Sequence, residues 1–321
     1  MRRRSRLLAR FVAVVLLGLV GGTPKIAGAA NPGYLTLSFG RTQWVTTKNC
    51  VRLPNTIDLG QVAAELHARG LAGTGNVVTG RTPETGFTCF NGYVLHPGLD
   101  RLAALRDGSG WTFVSASRTY ANIASLTPAQ QWDESCGTLQ TFEDHGHTRA
   151  WGLFAYPNDS YSVSAQTDVV STCFAYGRTY DDSLPLGTKN LNVRSQMAAP
   201  WFQKTSSLFG GSCNDPSLPC STAGYVRRYG SVTDLRRLVQ VGADRWFNLQ
   251  AYRFVTGARG TLGAPGMNWD CRSQDWRAHW ASASELYCWV DYKRILNAIP
   301  ATVVVTDPAG VADAWGRIPP T

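Results

Sequence analysis

The sequence predicts an α/β fold in which helices cover a parallel sheet, either open or closed into a barrel. Two observations lead to this prediction. Strand-like and helix-like patterns alternate along most of the 321 residues, and such alternation is typical of parallel sheets. Eight cysteines lie in the same part of the chain, which adds the expectation of a fold stabilised by disulfides.

The predicted elements follow one another in chain order. Residues 34–39 alternate between apolar and polar side chains, which predicts the first strand. Thr127 and Pro128 have the residue types of an N-cap and a first helical position, which predicts the start of a helix. The predicted strands are 34–39, 76–79, 111–114, 151–156, 246–255 and 302–305. The predicted helices are 59–69, 99–105, 128–142 and 274–296.

The first 29 residues have the pattern of a secretory signal peptide. A basic start that contains five arginines precedes an apolar run over residues 11–20, and Ala27-Gly28-Ala29 follows. The small residues predict cleavage after Ala29. The alternative is a membrane anchor, but the run is about half of the roughly 20 apolar residues that a spanning helix needs. We therefore expect a secreted protein whose residues 30–321 form one domain.

The charge of the predicted mature chain argues against a nucleic-acid ligand. The full sequence carries a net charge of +9, and the predicted leader holds six basic residues and no acidic residue. The mature chain would therefore carry only +3, without the basic stripe that tracks a phosphate backbone. No other stretch is apolar enough to span a bilayer. We expect neither nucleic-acid binding nor stable membrane insertion after cleavage.

The cysteines are expected to form disulfides between sequential neighbours. A zinc site is less consistent with the sequence, which contains no Cys-x-x-Cys pair. Eight cysteines allow 105 pairings, and we predict sequential ones because Cys50 and Cys89 follow the first two strands. The predicted pairs are Cys50–Cys89, Cys136–Cys173, Cys213–Cys220 and Cys271–Cys288.

Several stretches resemble the polysaccharide deacetylases, the NodB-homology group or carbohydrate esterase family 4. Residues 35–39 resemble the first strand of that family, and 66–70 resemble its first helix. Residues 111–115 are similar to the strand that carries a histidine motif, and 144–157 are similar to a Gly-His and Phe-Ala-Tyr-Pro stretch. The resemblance implies a distorted (β/α) barrel and a polysaccharide as partner.

The catalytic positions of the family are not preserved. The resemblance places Gly40 and Arg41 where two aspartates would act as base and metal ligand. The histidine pair falls on Ala116 and Tyr120, or on Arg118 and Asn122 in the other register. The distal histidine falls within residues 249–252, which contain no histidine. We therefore expect no metal cofactor, although the family would use a divalent metal such as zinc.

The remaining candidates for ligand contact are Arg41, Trp44 and Tyr120. They follow predicted strands on the side where active sites of α/β folds lie, and they offer donors and ring faces to sugars. Asp144, His145 and His147 are the one compact acid–base group, but the resemblance places them at the opposite end, in a structural role. Trp276 and Trp280 share a predicted helix face, and core packing is favoured over a sugar platform for them.

These observations predict a secreted protein that acts on or binds polysaccharide of the cell envelope or of the surroundings. The missing carboxylates and histidines favour binding without the metal-dependent chemistry of the family. The alternative is an active carbohydrate deacetylase, a hydrolase, with an altered site. Family resemblance by itself favours that alternative, but a fold does not establish an activity.

Overall fold

The computed structural model of the protein describes residues 32–53, 56–180, 192–193, 203–207, 244–255 and 286–317. These residues belong to one compact unit, Asn31–Thr321. Within these ranges no helix has the length and the apolar composition needed to cross a membrane.

A mixed sheet of nine strands forms the centre of the described structure. Its spatial order is β11-β13-β12-β10-β9-β8-β5-β1-β16, and β1 also pairs with β13. Neighbouring strands are parallel, except that β11 runs antiparallel to β13. The strands are β1 (Gly33–Phe39), β5 (Thr74–Val77), β8 (Thr112–Ser115), β9 (Phe154–Ala155), β10 (Gly177–Tyr180), β11 (Asn192–Val193), β12 (Gln203–Ser207), β13 (Arg245–Ala251) and β16 (Val303–Val305).

Two small sheets accompany the central one. Strands β2 (Val45–Lys48), β3 (Val51–Arg52), β6 (Phe87–Phe90) and β7 (Val94–Pro97) form an antiparallel sheet in the order β3-β2-β7-β6. Strands β4 (Thr56–Ile57), β14 (Arg253–Val255) and β15 (Leu286–Cys288) form the third sheet. The sequence analysis predicted none of the four strands of the antiparallel sheet.

Helices cover the sheet and begin at residues suited to that position. Asp58 accepts a hydrogen bond from the backbone of Gln61 and forms a capping box at the start of α1. Thr127 does the same with Gln130 at α3, which has Pro128 in its first turn. The helices are α1 (Leu59–His67), α2 (Leu99–Ser109), α3 (Pro128–Glu134), α4 (Gly137–Asp144), α5 (Ser171–Cys173), α6 (Trp289–Asn297) and α7 (Pro308–Ala314).

The two faces of β1 meet different surroundings. Leu35, Leu37 and Phe39 are buried in the main core together with apolar side chains of α1, α2 and α6. On the other face, Thr36 accepts a hydrogen bond from the indole of Trp246, and Ser38 donates one to Asn248. The alternation of β1 in the sequence therefore reflects an apolar face under the helices and a polar face toward β13.

Two disulfides lie in the described chain, and they are two of the four pairs expected from the sequence. Cys50 is bonded to Cys89, and Cys136 is bonded to Cys173. The first joins the turn after β2 to β6, and the second joins the segment before α4 to α5. The expected pairs Cys213–Cys220 and Cys271–Cys288 involve side chains outside the described part, and so do Trp276 and Trp280.

Several predicted boundaries are corrected by tertiary contacts. In the described part of the helix predicted over 274–296, Leu286–Cys288 is strand β15, which pairs in parallel with β14, and the helix covers Trp289–Asn297. The helix predicted over 128–142 is divided in two at Ser135, whose backbone is not helical. The strand predicted over 151–156 shortens to Phe154–Ala155 after a 3₁₀ turn.

The predicted strands 76–79 and 246–255 also differ from the structure. The first lies at Thr74–Val77, and a 3₁₀ turn takes over from residue 79. The second ends at Ala251, and the chain resumes as Arg253–Val255 in another sheet. These changes place a turn at the carboxyl end of β5 and a break in the chain's strand structure at the carboxyl end of β13, the sheet edge at which the candidate site lies.

Candidate functional site

The carboxyl ends of β1, β5 and β13 meet at one edge of the central sheet. After β1 the chain turns through the 3₁₀ segment Gly40–Thr42, in which Arg41 and Thr42 have left-handed φ angles of 52° and 44°. The hydroxyl of Thr42 donates a hydrogen bond of 2.7 Å to the carbonyl of Asn76 on β5. This hydrogen bond holds the turn over the sheet edge and so fixes the backbone position from which the Arg41 side chain extends.

Gly40 is tightly enclosed by two side chains at the carboxyl end of β13, those of Gln250 and Tyr252. A β-carbon added there would lie 2.2 Å from Cε1 of Tyr252 and 2.4 Å from Nε2 of Gln250. Real β-carbon contacts do not reach such distances, so a side chain at residue 40 requires Tyr252 and Gln250 to move. The space in which the resemblance would place a catalytic carboxylate is therefore occupied by an aromatic ring and an amide.

Replacing Gly40 by alanine is expected to lower the free energy of unfolding by about 1–3 kcal/mol, because overpacking displaces two buried side chains. Urea unfolding measures the effect. Gly108→Ala is the matched control. Gly108 lies in α2, and a β-carbon added there would have no neighbouring atom within 4 Å. Alanine at this position should therefore leave the free energy of unfolding equal or slightly higher. A Gly40→Ala variant as stable as the wild type would show that Tyr252 and Gln250 yield easily.

Arginine side chains and aromatic rings alternate outward from this edge. The Arg41 guanidinium lies 5.5 Å from the ring centre of Tyr252 and 5.4 Å from that of Tyr120. The Arg81 guanidinium lies 5.6 Å from the Tyr120 ring and 4.9 Å from the Phe90 ring. We call these five side chains the cation–π ladder. It runs from Tyr252, which is 5% exposed, to Phe90, which is 37% exposed.

The surroundings of the ladder are strongly positive. His96 is buried, and its Nδ1 lies 3.0 Å from the carbonyl oxygen of Arg41. Burial and the charges of Arg41, Arg81 and Arg253 lower the pKa of His96 to about 4, so its ring is neutral at pH 7. Burial and the charge of Arg41 likewise lower the pKa of Arg253 to about 9. The site therefore favours an anionic or electron-rich ligand over a cation.

Buried amides lie next to the ladder on β5 and β13. Nδ2 of Asn76 donates a hydrogen bond of 3.3 Å to Oε1 of Gln250. Oδ1 of Asn76 and Nδ2 of Asn248 are buried without a hydrogen-bond partner in the described structure. Buried polar atoms of this kind are usually satisfied by water or by a ligand.

The residues at this edge do not fit the divalent metal that the resemblance would imply. Metal-binding carboxylates or imidazoles would have to occupy positions that hold Gly40, the Arg41 cation and Tyr120. The described residues contain no group of three or more His, Cys, Asp or Glu side chains able to hold a metal ion. We therefore derive no chemical step through a metal.

The structure brings together two of the three residues predicted to contact a ligand. Arg41 and Tyr120 are in contact. Trp44 packs elsewhere: its ring lies 5.3 Å from that of Phe87, it contacts the main core, and its backbone carbonyl accepts from Leu59 at the start of α1. Trp44 therefore adjoins the antiparallel sheet and stands outside the ladder.

Asp144, His145 and His147, for which the sequence analysis expected a structural role, do not assemble into one site. His147 is 4% exposed and packs edge-on against Phe113 and Phe142. His145 lies 2.9 Å from Glu84 and 2.8 Å from the carbonyl oxygen of Thr141. The Asp144 carboxylate accepts from Gln140 on the same helix. Each side chain thus has its own local role, although sequence proximity suggested one cluster.

Sequence reasoning missed most of the ladder and its neighbours. Arg81, Phe90 and His96 lie on the turn after β5 and on the antiparallel sheet, and Tyr252 and Arg253 lie at the break after β13. One available signal was the predicted Cys50–Cys89 pair. That pair places residues 87–97 beside the chain that follows β1.

Comparison with known proteins gives little further information. No family model matches the sequence, and no curated protein matches it. Among solved structures, similarity is found to a "Family 4 carbohydrate esterase from Streptomyces lividans in complex with acetate", with 17% identity and a TM-score of 0.29. The match covers 44% of this chain and 59% of that chain, which is less than two thirds of the esterase's length. Similarity at this level does not establish the family.

Proposed function

We propose that this chain is an exported protein that binds polysaccharide of the cell envelope or of the surroundings without metal-dependent deacetylation. The observation that carries the proposal is the cation–π ladder at the carboxyl ends of β1, β5 and β13. Ligands of α/β proteins commonly bind outside this end of the sheet. The ladder offers there the two groups that sugars use most, aromatic faces and fixed hydrogen-bond donors.

The chemistry of the ladder suits a sugar better than a small apolar ligand. Ring faces of Tyr120 and Phe90 can stack on the C–H faces of sugars. Guanidinium groups donate several hydrogen bonds in a fixed fork, which suits hydroxyl pairs and carboxylates. Arg41 lies near two rings, so little side-chain entropy would remain to be lost when it binds.

Two further features belong to the same proposal. The predicted leader over residues 1–29 would direct export, and the Cys50–Cys89 and Cys136–Cys173 disulfides are compatible with an oxidising compartment. We also infer that the central sheet closes into a distorted (β/α) barrel. Support comes from β1, which is parallel to β5 on one side and to β13 on the other.

The competing function is an altered carbohydrate deacetylase, but the site contains few groups that could catalyse hydrolysis. Hydrolysis needs a base that activates water. Of the described histidines, His96 lies against the ladder, where its Nδ1 donates to the Arg41 carbonyl. Burial and the arginine charges lower its pKa to about 4, so its other ring nitrogen is a weak base. Acetate release from acetylated chitin oligomers or peptidoglycan by the purified protein would support the deacetylase and contradict the proposal.

The double variant Arg41→Met, Tyr120→Leu is expected to weaken polysaccharide binding at least tenfold. It removes one guanidinium fork and one ring while it keeps much of the side-chain volume, and a combined loss of about 1.4–3 kcal/mol corresponds to tenfold or more. Binding is measured by pull-down and affinity electrophoresis against chitin, peptidoglycan, glucans and acidic polysaccharides.

Arg118→Gln is the matched control for this experiment. Arg118 lies two residues before Tyr120 and is paired with Asp133 at 2.6 Å, outside the ladder. It should bind as the wild type does. If the wild type binds no polysaccharide, or if the double variant binds equally well, the ladder is not the ligand site. Circular dichroism of each variant verifies that the fold is retained.

A further inference from the structure

Arg81 differs from six other arginines of the described chain in its neighbours. Its Nη2 donates a hydrogen bond of 2.6 Å to the carbonyl of Thr119, and no described carboxylate forms an ion pair with it. Six arginines do have a carboxylate within 4 Å: Arg52, Arg69, Arg101, Arg106, Arg118 and Arg149. Arg81 is only half-buried, so its charge remains available to a ligand.

The ring beside Arg81 is also available. Phe90 is 37% exposed, Phe87 on the same strand is 41% exposed, and Tyr93 in the turn after that strand is 47% exposed. The Cys50–Cys89 disulfide lies directly before Phe90 and ties β6 to the turn after β2. A surface aromatic ring held on a cross-linked hairpin is a rigid platform, which binds with a small loss of conformational entropy.

Several arginine side chains place positive charge around the buried His96 ring next to this platform. The charges of Arg41, Arg81 and Arg253 all lower the pKa of His96, which shows that three cations act on one buried point. A ligand that brings a negative group to Arg81 would gain Coulomb attraction as well as hydrogen bonds, whereas a neutral sugar would gain only hydrogen bonds.

We infer that Arg81 and Phe90 form a subsite for an anionic sugar, with the carboxylate or sulfate on Arg81 and the sugar ring on Phe90. This inference rests on the proposed function and specifies its ligand as an acidic polysaccharide. The guanidinium fork matches the two oxygens of a carboxylate or of a sulfate ester. The exposed ring sits 4.9 Å from the guanidinium, close enough for one sugar unit to reach both.

The test compares polysaccharides that differ only in charge. Polygalacturonate is compared with its fully methyl-esterified form, and dextran sulfate with dextran, so that carboxylate and sulfate are distinguished. We expect the purified mature protein to bind at least one acidic member about tenfold or more tightly than its neutral counterpart, with affinity that falls as salt rises. Arg81→Gln should remove most of this preference, and Arg81→Lys should retain part of it.

Arg101→Gln is the matched control, because Arg101 lies 5.5 Å from the Phe87 ring of the same sheet but beside the Asp100 carboxylate. It should keep the wild-type preference. Equal binding of charged and neutral members would overturn this inference and leave the proposed function standing. An unchanged preference in Arg81→Gln, or equally tight binding of single-stranded DNA, would also overturn it. Absence of binding to every polysaccharide would instead overturn the proposed function.

Discussion

The free energy of unfolding is expected to fall by about 4 kcal/mol when the pH is lowered from 7 to 5. The reason is the burial of two histidines, His96 and His147, which are 8% and 4% exposed. Burial is the main cause that lowers the pKa of each ring from 6.5 to about 4. Nearby arginine charges act in the same direction, Arg41 on His96 and Arg106 on His147.

The sign follows from where the protons bind. Between pH 6.5 and pH 4 the unfolded chain protonates these histidines while the folded protein keeps them neutral. Protons therefore stabilise the unfolded state, and stability is lost as the pH falls through this window. Each histidine contributes about 2 kcal/mol between pH 7 and pH 5. Most carboxylates titrate below that range, so the two buried histidines dominate the change. The raised pKa of His145 acts in the opposite direction and offsets part of it.

Urea unfolding at pH 7, 6 and 5 tests this expectation. His147→Leu removes an imidazole whose two nitrogens have no hydrogen-bond partner among the described residues, and it should halve the dependence on pH. His96→Asn keeps a donor for the Arg41 carbonyl and should remove the other half. His67→Asn, at the exposed end of α1, is the control and should retain the wild-type slope. A double variant as acid-sensitive as the wild type would refute the explanation.

Removing the Cys136–Cys173 disulfide is expected to cost about 4 kcal/mol of stability. The bond closes a loop with a sequence separation of 37, and the chain-entropy account gives about 4 kcal/mol for a loop of that size. Both half-cystines lie in a buried cluster with Ile123, Phe154 and Val170. The double variant Cys136→Ala, Cys173→Ala therefore also leaves a small cavity in this cluster.

The Cys50–Cys89 disulfide offers a close comparison, because its sequence separation is 39. Its double alanine variant should lose a similar amount through chain entropy but should in addition weaken binding at Phe90. The Cys136–Cys173 variant should bind as the wild type does once it is folded. Thermal unfolding and the polysaccharide assay, carried out on both variants, separate the two effects. Equal stability with and without either disulfide would contradict the expectation.

The sequence predicted the parts of the fold whose patterns are local. The strand β1 and the start of α3 at Thr127 and Pro128 are determined by residues within a few positions of each element. The helix predicted over 99–105 extends to Ser109 and ends at Gly110 instead of Gly108. Parallel pairing could be inferred from the alternation of strands and helices. The pairings Cys50–Cys89 and Cys136–Cys173 were also inferred from that order.

The antiparallel sheet could not be predicted for a physical reason. Its strands have two to four residues, too short for an alternating pattern to stand out. The strand Leu286–Cys288 forms because β14 is its partner, although its sequence was assigned to a helix. Tertiary pairing decided the structure in both cases.

In the candidate site, too, some residues could be predicted from local sequence and others depend on tertiary packing. Arg41 and Tyr120 could be predicted because they lie two residues after β1 and five residues after β8. Trp44 was added because it also follows β1 in the sequence. Its position depends on the packing of Phe87 across two hairpin strands, which the sequence does not reveal. Arg81 and Phe90 come together only when that hairpin folds back over the sheet edge.

The pairing of β1 has a consequence for the order in which the protein can fold. Ser38 bonds to a residue 210 positions later, and Thr36 bonds to one 270 positions later. A central strand whose partners come from the far end of the chain gives the fold a high contact order, which slows folding. During synthesis, the apolar side chains of β1 must wait for β13 and β16. Until those strands arrive, a holding chaperone would find its binding site at the beginning of the domain.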